Sequence, residues 1–255
     1  MKLVDVHCHL ESKEYDDLAT VIDKAKSVGI IKLITCAITP SQWEVSKNIA
    51  SIYPEVEFAW GVHPWYISSA DLDLIAGLSI AKEEGAVAIG EIGLDRVIDN
   101  PTFDTQLDIF EAQLRIAKEI NLPVIMHCRK AFNEMAGSIK KIGLPEAGGI
   151  IHSFNGSVEL AQELIDLGLS FSIGGILTQR NSKKREAMLK HIYPRYFLLE
   201  TDSPDILPVQ IKERPNLPEY ITYNLKAASD ILGLSEEVVA EVTTQNAQRI
   251  FSLQL

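Results

Sequence analysis

Cysteine is scarce in this chain. Three residues (Cys8, Cys36, Cys128) among 255 are too few, and odd in number, for a disulfide framework. No uninterrupted apolar run reaches the roughly 18 residues of a membrane span, so no membrane partner is expected. The opening stretch, MKLVDVHCHLESKEYDDL, has no apolar segment of signal-peptide length ahead of a small-residue cleavage site. A cytoplasmic location is the expectation. Basic residues are also short: 24 Lys and Arg against 35 Asp and Glu give a formal charge of −11. That balance opposes broad adhesion to a phosphate backbone. It leaves a phosphate-ester substrate open, because bound cations can supply local positive charge. Neither a GxGxxG nor a Walker-type sequence is present, which argues against a doubly wound open sheet with a glycine-rich first turn.

What is there is a regular alternation. With 46% hydrophobic and 23% charged residues the chain can bury a sizeable core. Short β-branched runs predict strands at Leu3–His7, Lys32–Ala37, Glu57–Gly61, Ala86–Gly90, Pro123–His127, Gly149–His152, Leu169–Ile173 and Phe197–Glu200. Amphipathic stretches between them predict helices at Lys13–Val28, Ser41–Ile52, Asp71–Glu84, Phe103–Ile120, Phe132–Lys141, Val158–Leu167 and Arg180–Ile192, with helical sequence from Glu219 onward. Glycine or proline punctuates most joints, and no linker divides the chain. Eight strand–helix units in this length predict a single (β/α)8 TIM barrel spanning residues 1–255.

The polar residues fall at one end of that barrel. Of six histidines, four (His7, His9, His127, His152) lie at or just past the C-terminal end of a predicted strand, as do Glu91 and Asp202. In a closed barrel those ends converge on one face, where the active sites of this fold lie. Period-two alternation predicts Asp5, His7 and His9 on one face of strand 1, with Cys8, and likewise Cys128, turned away as small packing residues. A lone histidine at a strand end is more often a hydrogen-bonded structural group; six converging groups predict a metal site. Imidazole and carboxylate ligands suit zinc, manganese, iron, cobalt or nickel. One carboxylate can bridge two such cations about 3.5–4 Å apart, and a water between them would be acidified into a nucleophile.

On Asp5-Val6-His7-Cys8-His9-Leu10, Gly61-Val62-His63-Pro64, Ile89-Gly90-Glu91-Ile92-Gly93-Leu94-Asp95, Leu122–Arg129, Ile151–Gly156 and Leu199–Pro204, the chain resembles the TatD-type metal-dependent hydrolases. These form a branch of the amidohydrolase superfamily that includes deoxyribonucleases. The resemblance covers nearly the whole length. It implies a binuclear site, with His7, His9 and Asp202 on one divalent cation (Zn, Mn or Mg), His127 and His152 on the other, and Glu91 bridging. It also implies phosphodiester hydrolysis of DNA, often 3′ to 5′; some members resemble D-aminoacyl-tRNA deacylases instead. Two departures stand out. Arg96-Val97 follow Asp95 where the family commonly has aromatic residues, and Glu213–Pro218 carries an extra proline in an Arg-Asn-x-Pro-like element.

The expected mechanism has a metal-bridging hydroxide attacking phosphorus, with Asp202 orienting the nucleophile and taking its proton. His63 is a candidate for the substrate oxyanion or the leaving group, with a structural role in Gly-Val-His-Pro as the alternative. Arg129 is a candidate for a phosphate oxygen, and otherwise for a salt bridge to Glu200 or Asp95. Arg180, Lys183, Lys184 and Arg185 form a basic cluster that would grip a phosphate backbone or else be a solvated helix start. Two other readings keep the same residues: hydrolysis of a small-molecule ester or amide, and a metal-storing scaffold. No obligate protein partner is evident.

Overall fold

The computed structural model describes residues 1–68, 74–179 and 182–255. Eight parallel strands follow one another around a single sheet: β1 (Leu3–Cys8), β2 (Ile30–Ala37), β3 (Val56–Trp60), β4 (Ala88–Asp95), β5 (Val124–Arg129), β6 (Gly149–Ile151), β7 (Leu169–Ile173) and β8 (Phe197–Leu199). The helices described between and after them are α1 (Leu18–Ser27), α2 (Trp43–Ile52), α3 (Phe103–Ile120), α4 (Phe132–Ile142), α5 (Val158–Asp166), α6 (Lys183–Ile192), α7 (Ile221–Leu232) and α8 (Glu236–Phe251). This is the predicted (β/α)8 barrel. Asp17, Thr102, Ser157, Ser182 and Ser235 start five of the helices by accepting a backbone N–H in the first turn. No helix among the described residues is long and apolar enough to cross a membrane.

The boundaries differ from expectation where tertiary contacts override local pattern. Of the segment read as a helix over 71–84, residues 71–73 lie outside those described, Leu74 and Ile75 are helical, and the helix tightens into a 3₁₀ turn at Ala76–Ile80. The C-terminal helical sequence breaks at Gly233 into α7 and α8. Strand β4 runs on to Asp95 instead of stopping at Gly90, so Glu91 stands within a strand and not at its end.

Two apolar clusters divide the interior. The larger lies between strands and helices. The smaller takes Val4, Val6, Ile34, Cys36, Ala59, Ala88, Ile125, Ile150 and Leu198 from every strand but β7 and joins them to Ala247, Ile250, Phe251 and Leu253. It fills the lower barrel, and the last helix closes the floor. Membership in the clusters shows that β1 and β4 do not alternate regularly. Leu3 and Cys8, five residues apart, both face the larger cluster, and the β1–β2 register shifts between Asp5 and Cys8. The expectation that Asp5 shares a face with His7 and His9 is therefore wrong: Asp5 instead accepts from Thr201 N (3.0 Å) and Thr201 Oγ1 (2.5 Å). In β4, Ile89 and Ile92 both face the larger cluster, and the register slips between them. The extra residue turns Glu91 into the barrel, where strict alternation from Ile89 would have pointed it out.

Candidate metal centre

Glu91 is the hub. Its Oε2 lies 3.4 Å from His7 Nε2 and 3.5 Å from His9 Nε2, and Asp202 Oδ1 is 3.4 and 3.6 Å from the same two nitrogens. Its Oε1 lies 2.9 Å from His152 Nε2, 3.2 Å from His63 Nε2 and 3.3 Å from His127 Nδ1. The six groups expected to converge do so, and His63 joins them. The strands hold them closely. Asp202 N donates to His7 O (3.0 Å) and His9 N to Ser203 O (2.8 Å), so backbone bonds of the site residues themselves tie the end of β1 to the chain leaving β8. Asp202 adopts φ 57, a left-handed conformation that aspartate tolerates better than most side chains. Gly93 lets β4 meet β5 beside His127, because a Cβ there would stand 1.9 Å from His127 O.

Three of the imidazoles are aimed by their far nitrogens. His9 Nδ1 bonds Cys36 O (2.8 Å), leaving Nε2 to face Glu91 and Asp202. His127 Nε2 bonds Asp95 Oδ2 (3.2 Å), leaving Nδ1 to face Glu91. Asp95 is in turn fixed by Trp65 Nε1 (2.6 Å) and Val97 N (2.8 Å). Such outer partners set the tautomer and orientation of a ligating histidine. His63 Nδ1 accepts from Trp65 N (3.1 Å), which leaves its proton on Nε2 facing Glu91. One nitrogen thus makes the structural bond and the other faces the site.

Burial opposes ionisation of Glu91, yet the imidazoles of His63, His152 and His7 outweigh it and hold the carboxyl well below the usual range. Asp202 is lowered in the same way, against burial, by His7 and His9. Burial also opposes a proton on His127, but Asp95 and Glu91 prevail and raise it to about 9. His7 and His9 are raised against burial as well, His7 by Cys36 and Glu91 and His9 chiefly by Asp202. Burial and the neighbouring His7 push His152 down to about 4, and burial lowers His63. Below them, Glu200 accepts from Ser153 N (2.8 Å) and from Ser172 Oγ, and burial pushes it up to about 8.

This donor set fits divalent cations. Both ring nitrogens of His7 and the Nδ1 of His152 are buried without a hydrogen-bond partner, which is costly unless something else satisfies them. Ligand atoms of His7, His9 and Glu91, of His7, His152 and Asp202, and of His63, Glu91 and His127 each lie within 4.8 Å of one another. Neutral imidazoles beside carboxylates are borderline donors suited to zinc or manganese.

The remaining candidates scatter. Arg129 ends β5 exposed and forms neither salt bridge considered for it: Asp95 is engaged by His127 and Trp65, and Glu200 by Ser153 and Ser172. Lys183 and Lys184 are exposed in the first turn of α6, whereas Arg185 is buried and donates to Gln179 O (2.8 Å), so it leaves the expected basic cluster. Arg180 lies outside the described residues. Cys8 and Cys128 do pack outward against the helices. Asp95 and Trp65 escaped the sequence reading as site residues. Asp95 was detectable as the residue two past Gly93 on an extended β4; Trp65, behind Pro64, carried no signal beyond its size.

An eight-stranded parallel barrel with imidazoles and carboxylates gathered at its C-terminal mouth defines a metal-dependent hydrolase of the TIM-barrel type. More narrowly, the chain belongs to the TatD-related DNase family, whose model matches residues 4–252. It is 33% identical to the Bacillus subtilis metal-dependent hydrolase YabD, over 98% of this chain and 99% of that one. It is 30% identical to the 3′-5′ ssDNA/RNA exonuclease TatD of a Rahnella species, with 98% of each chain covered. The crystal structure of the Escherichia coli TatD homologue YjjV superposes with a TM-score of 0.92 at 27% identity, covering 99% of this chain and 98% of that one.

Proposed function

We propose that the protein hydrolyses phosphodiester bonds in DNA on two divalent cations. The observation that carries this is the division of Glu91: one oxygen faces His7 and His9 beside Asp202, the other faces His127 and His152 beside His63. His7, His9 and Asp202 with one Glu91 oxygen would hold the first cation; His127 and His152 with the other would hold the second. A divalent cation bound there would supply acidification of a water and neutralisation of charge on a phosphate.

The protein's own groups do the rest. Asp202, held ionised, orients the attacking water and accepts its proton. His63, neutral with its proton on Nε2, donates to a phosphate oxygen or the leaving group. Asp95 keeps the His127 ring turned so that Nδ1 points inward. Arg129, exposed at the end of β5, offers a planar fork to a phosphate oxygen, and Lys183 lies on the α6 side of the mouth. The 30% identity to a Rahnella exonuclease of single-stranded DNA and RNA supports the nucleic-acid substrate, and three free thiols support a cytoplasmic setting.

The test is a metal-reconstituted screen on single-stranded DNA, RNA, aminoacyl-tRNA, bis(p-nitrophenyl) phosphate and carboxyl esters, with and without chelator. Chelator-sensitive cleavage of DNA and the phosphodiester is expected. Turnover confined to carboxyl or aminoacyl esters would overturn the assignment, and binding of metal without any turnover would leave a storage protein.

A further inference from the structure

Trp65 and Tyr66 break the usual pattern for large aromatic side chains. Both stand in the 3₁₀ turn Pro64–Tyr66 directly after β3, with 46% and 48% of their surface exposed. Large aromatics left half in water normally keep rotamer freedom, but Trp65 does not. Its indole N–H donates to Asp95 Oδ2 (2.6 Å), its backbone N–H to His63 Nδ1 (3.1 Å), and Pro64 fixes the entry to the turn. Tyr66 N donates to His63 O (3.0 Å). The Trp65 face is thus held rigidly in solvent with the exposed Tyr66 ring beside it, which lowers the ordering cost of binding something flat against the pair.

Their position relates them to the metal centre. The Trp65 ring centroid lies 5.3 Å from that of His63 and 6.1 Å from that of His127, edge-on to both, and the Tyr66 centroid is 5.8 Å from His63. Val97, itself 42% exposed, shares the Asp95 carboxylate with Trp65. An exposed apolar rim therefore borders the His63–His127 side of the site.

Beside that rim the charge of Arg96 is already engaged, which leaves Arg129 for a phosphate oxygen. Arg96 pairs with Glu134 and covers the Phe103 ring at 3.9 Å, and the whole chain carries −11. Stacking on a nucleobase is insensitive to that acidity, because every base offers a π-face.

We propose that Trp65 and Tyr66 form a stacking platform for the nucleobase that flanks the scissile phosphate, which selects single-stranded ends over duplex. Inside a duplex both faces of that base are occupied by its neighbours, and at a duplex end pairing holds the base in the stack, so the platform meets it only after unpairing. The proposal rests on the phosphodiesterase reading and names the feature of the substrate that the site grips.

The experiment compares an intact single-stranded oligonucleotide with one whose terminal base-bearing sugars are replaced by abasic analogues, using manganese-loaded protein. For the parent, the KM ratio of abasic to intact strand should be roughly 5- to 150-fold, the range for stacking one base. In Trp65→Ala and Tyr66→Ala that ratio should fall toward one, and Trp65→Phe, which keeps a stacking face but no indole N–H, should retain most of it. A merely structural role for the pair would change both strands alike and leave the ratio intact, which overturns the platform, as does a parent ratio near one. Should the parent cleave bis(p-nitrophenyl) phosphate but no oligonucleotide of either kind, it is the nucleic-acid assignment that fails, and the platform with it. Trp65→Phe guards against a folding defect, since it preserves the bulk of the ring.

Discussion

The two ends of the barrel are built from opposite materials. The floor is aliphatic and aromatic: Val4, Ile34, Ala88, Ile125 and Leu198 meet Ile250, Phe251 and Leu253 of the closing segment, with the Cys36 thiol and no charged side chain among them. The mouth, above the same strands, crowds five imidazoles around Glu91 and Asp202. The floor gains free energy by leaving water. The mouth loses it, because buried ionisable groups without full partners are costly. One end maintains the barrel and the other uses it. The difference teaches that stability and chemistry can be perturbed separately here, although the same eight strands serve both.

The strongest test of that separation sets one substitution against another. Glu91→Gln keeps the shape of the side chain but removes the charge that the two proposed cation positions would share, so turnover should drop by roughly 10³-fold or more. Its melting temperature in chelator should stay near that of the parent, since the surrounding histidines can shed their protons. Phe251→Ala should do the reverse. Removing a side chain that is 3% exposed and packed under the barrel is expected to cost about 3–5 kcal/mol in denaturant unfolding. Turnover per folded molecule should change little. If Phe251→Ala lowers per-molecule turnover as much as Glu91→Gln does, the two ends are not separable.

Much of this contrast was legible in the sequence. The alternation of strand and helix runs, with histidines following strands 1, 5 and 6, is enough to place the imidazoles at one end, because in a closed barrel all C-terminal strand ends face the same way. The orientation of particular side chains was not legible. Period two put Asp5 beside His7, whereas the register shift in β1 sends Asp5 to Thr201. Glu91 points inward through a similar slip in β4. Such bulges depend on how neighbouring strands pair, which no local pattern encodes. Asp95 was missed for a related reason: hydrogen bonds to β5 extend β4 through Gly93, a residue that reads as a strand end.

A smaller effect separates the two halves of the mouth. His127 is held protonated up to about pH 9 by Asp95 and Glu91, and a cation can take its Nδ1 only after that proton leaves. Affinity for the cation on that side should therefore rise about tenfold per pH unit below 9 and level off above it. Calorimetric titrations in buffers of different ionisation enthalpy would count the released proton. Asp95→Asn removes one of the two carboxylates that raise His127 and loosens the ring, so the levelling-off should move to lower pH while affinity falls roughly 10- to 100-fold. The His7–His9 side, with no hydrogen bond to Asp95 among the described residues, should bind its cation as before. A uniform loss at both positions would mean that Asp95 supports the mouth as a whole.

The smallest effect concerns Lys183 and Lys184. Ser182 caps α6, so these lysines occupy its first two helical positions, where the helix presents partial positive charge and cations are disfavoured. Arg185, the next residue, escapes the penalty by turning inward to Gln179, but the two lysines remain in water. Charges kept at an unfavourable helix end point to a role outside the helix, and a phosphate backbone approaching the mouth would supply it. Lys183→Glu combined with Lys184→Glu should raise stability by ~0.3–1 kcal/mol per site, through the helix dipole. The same double variant should weaken binding of single-stranded DNA and reduce the salt slope by about 0.7 for each phosphate that the lysines had neutralised. Stability and affinity would then move in opposite directions. A gain in stability with an unchanged salt slope would mark the pair as a solvated helix start, and the grip on the strand would lie with the rim formed by Trp65 and Tyr66.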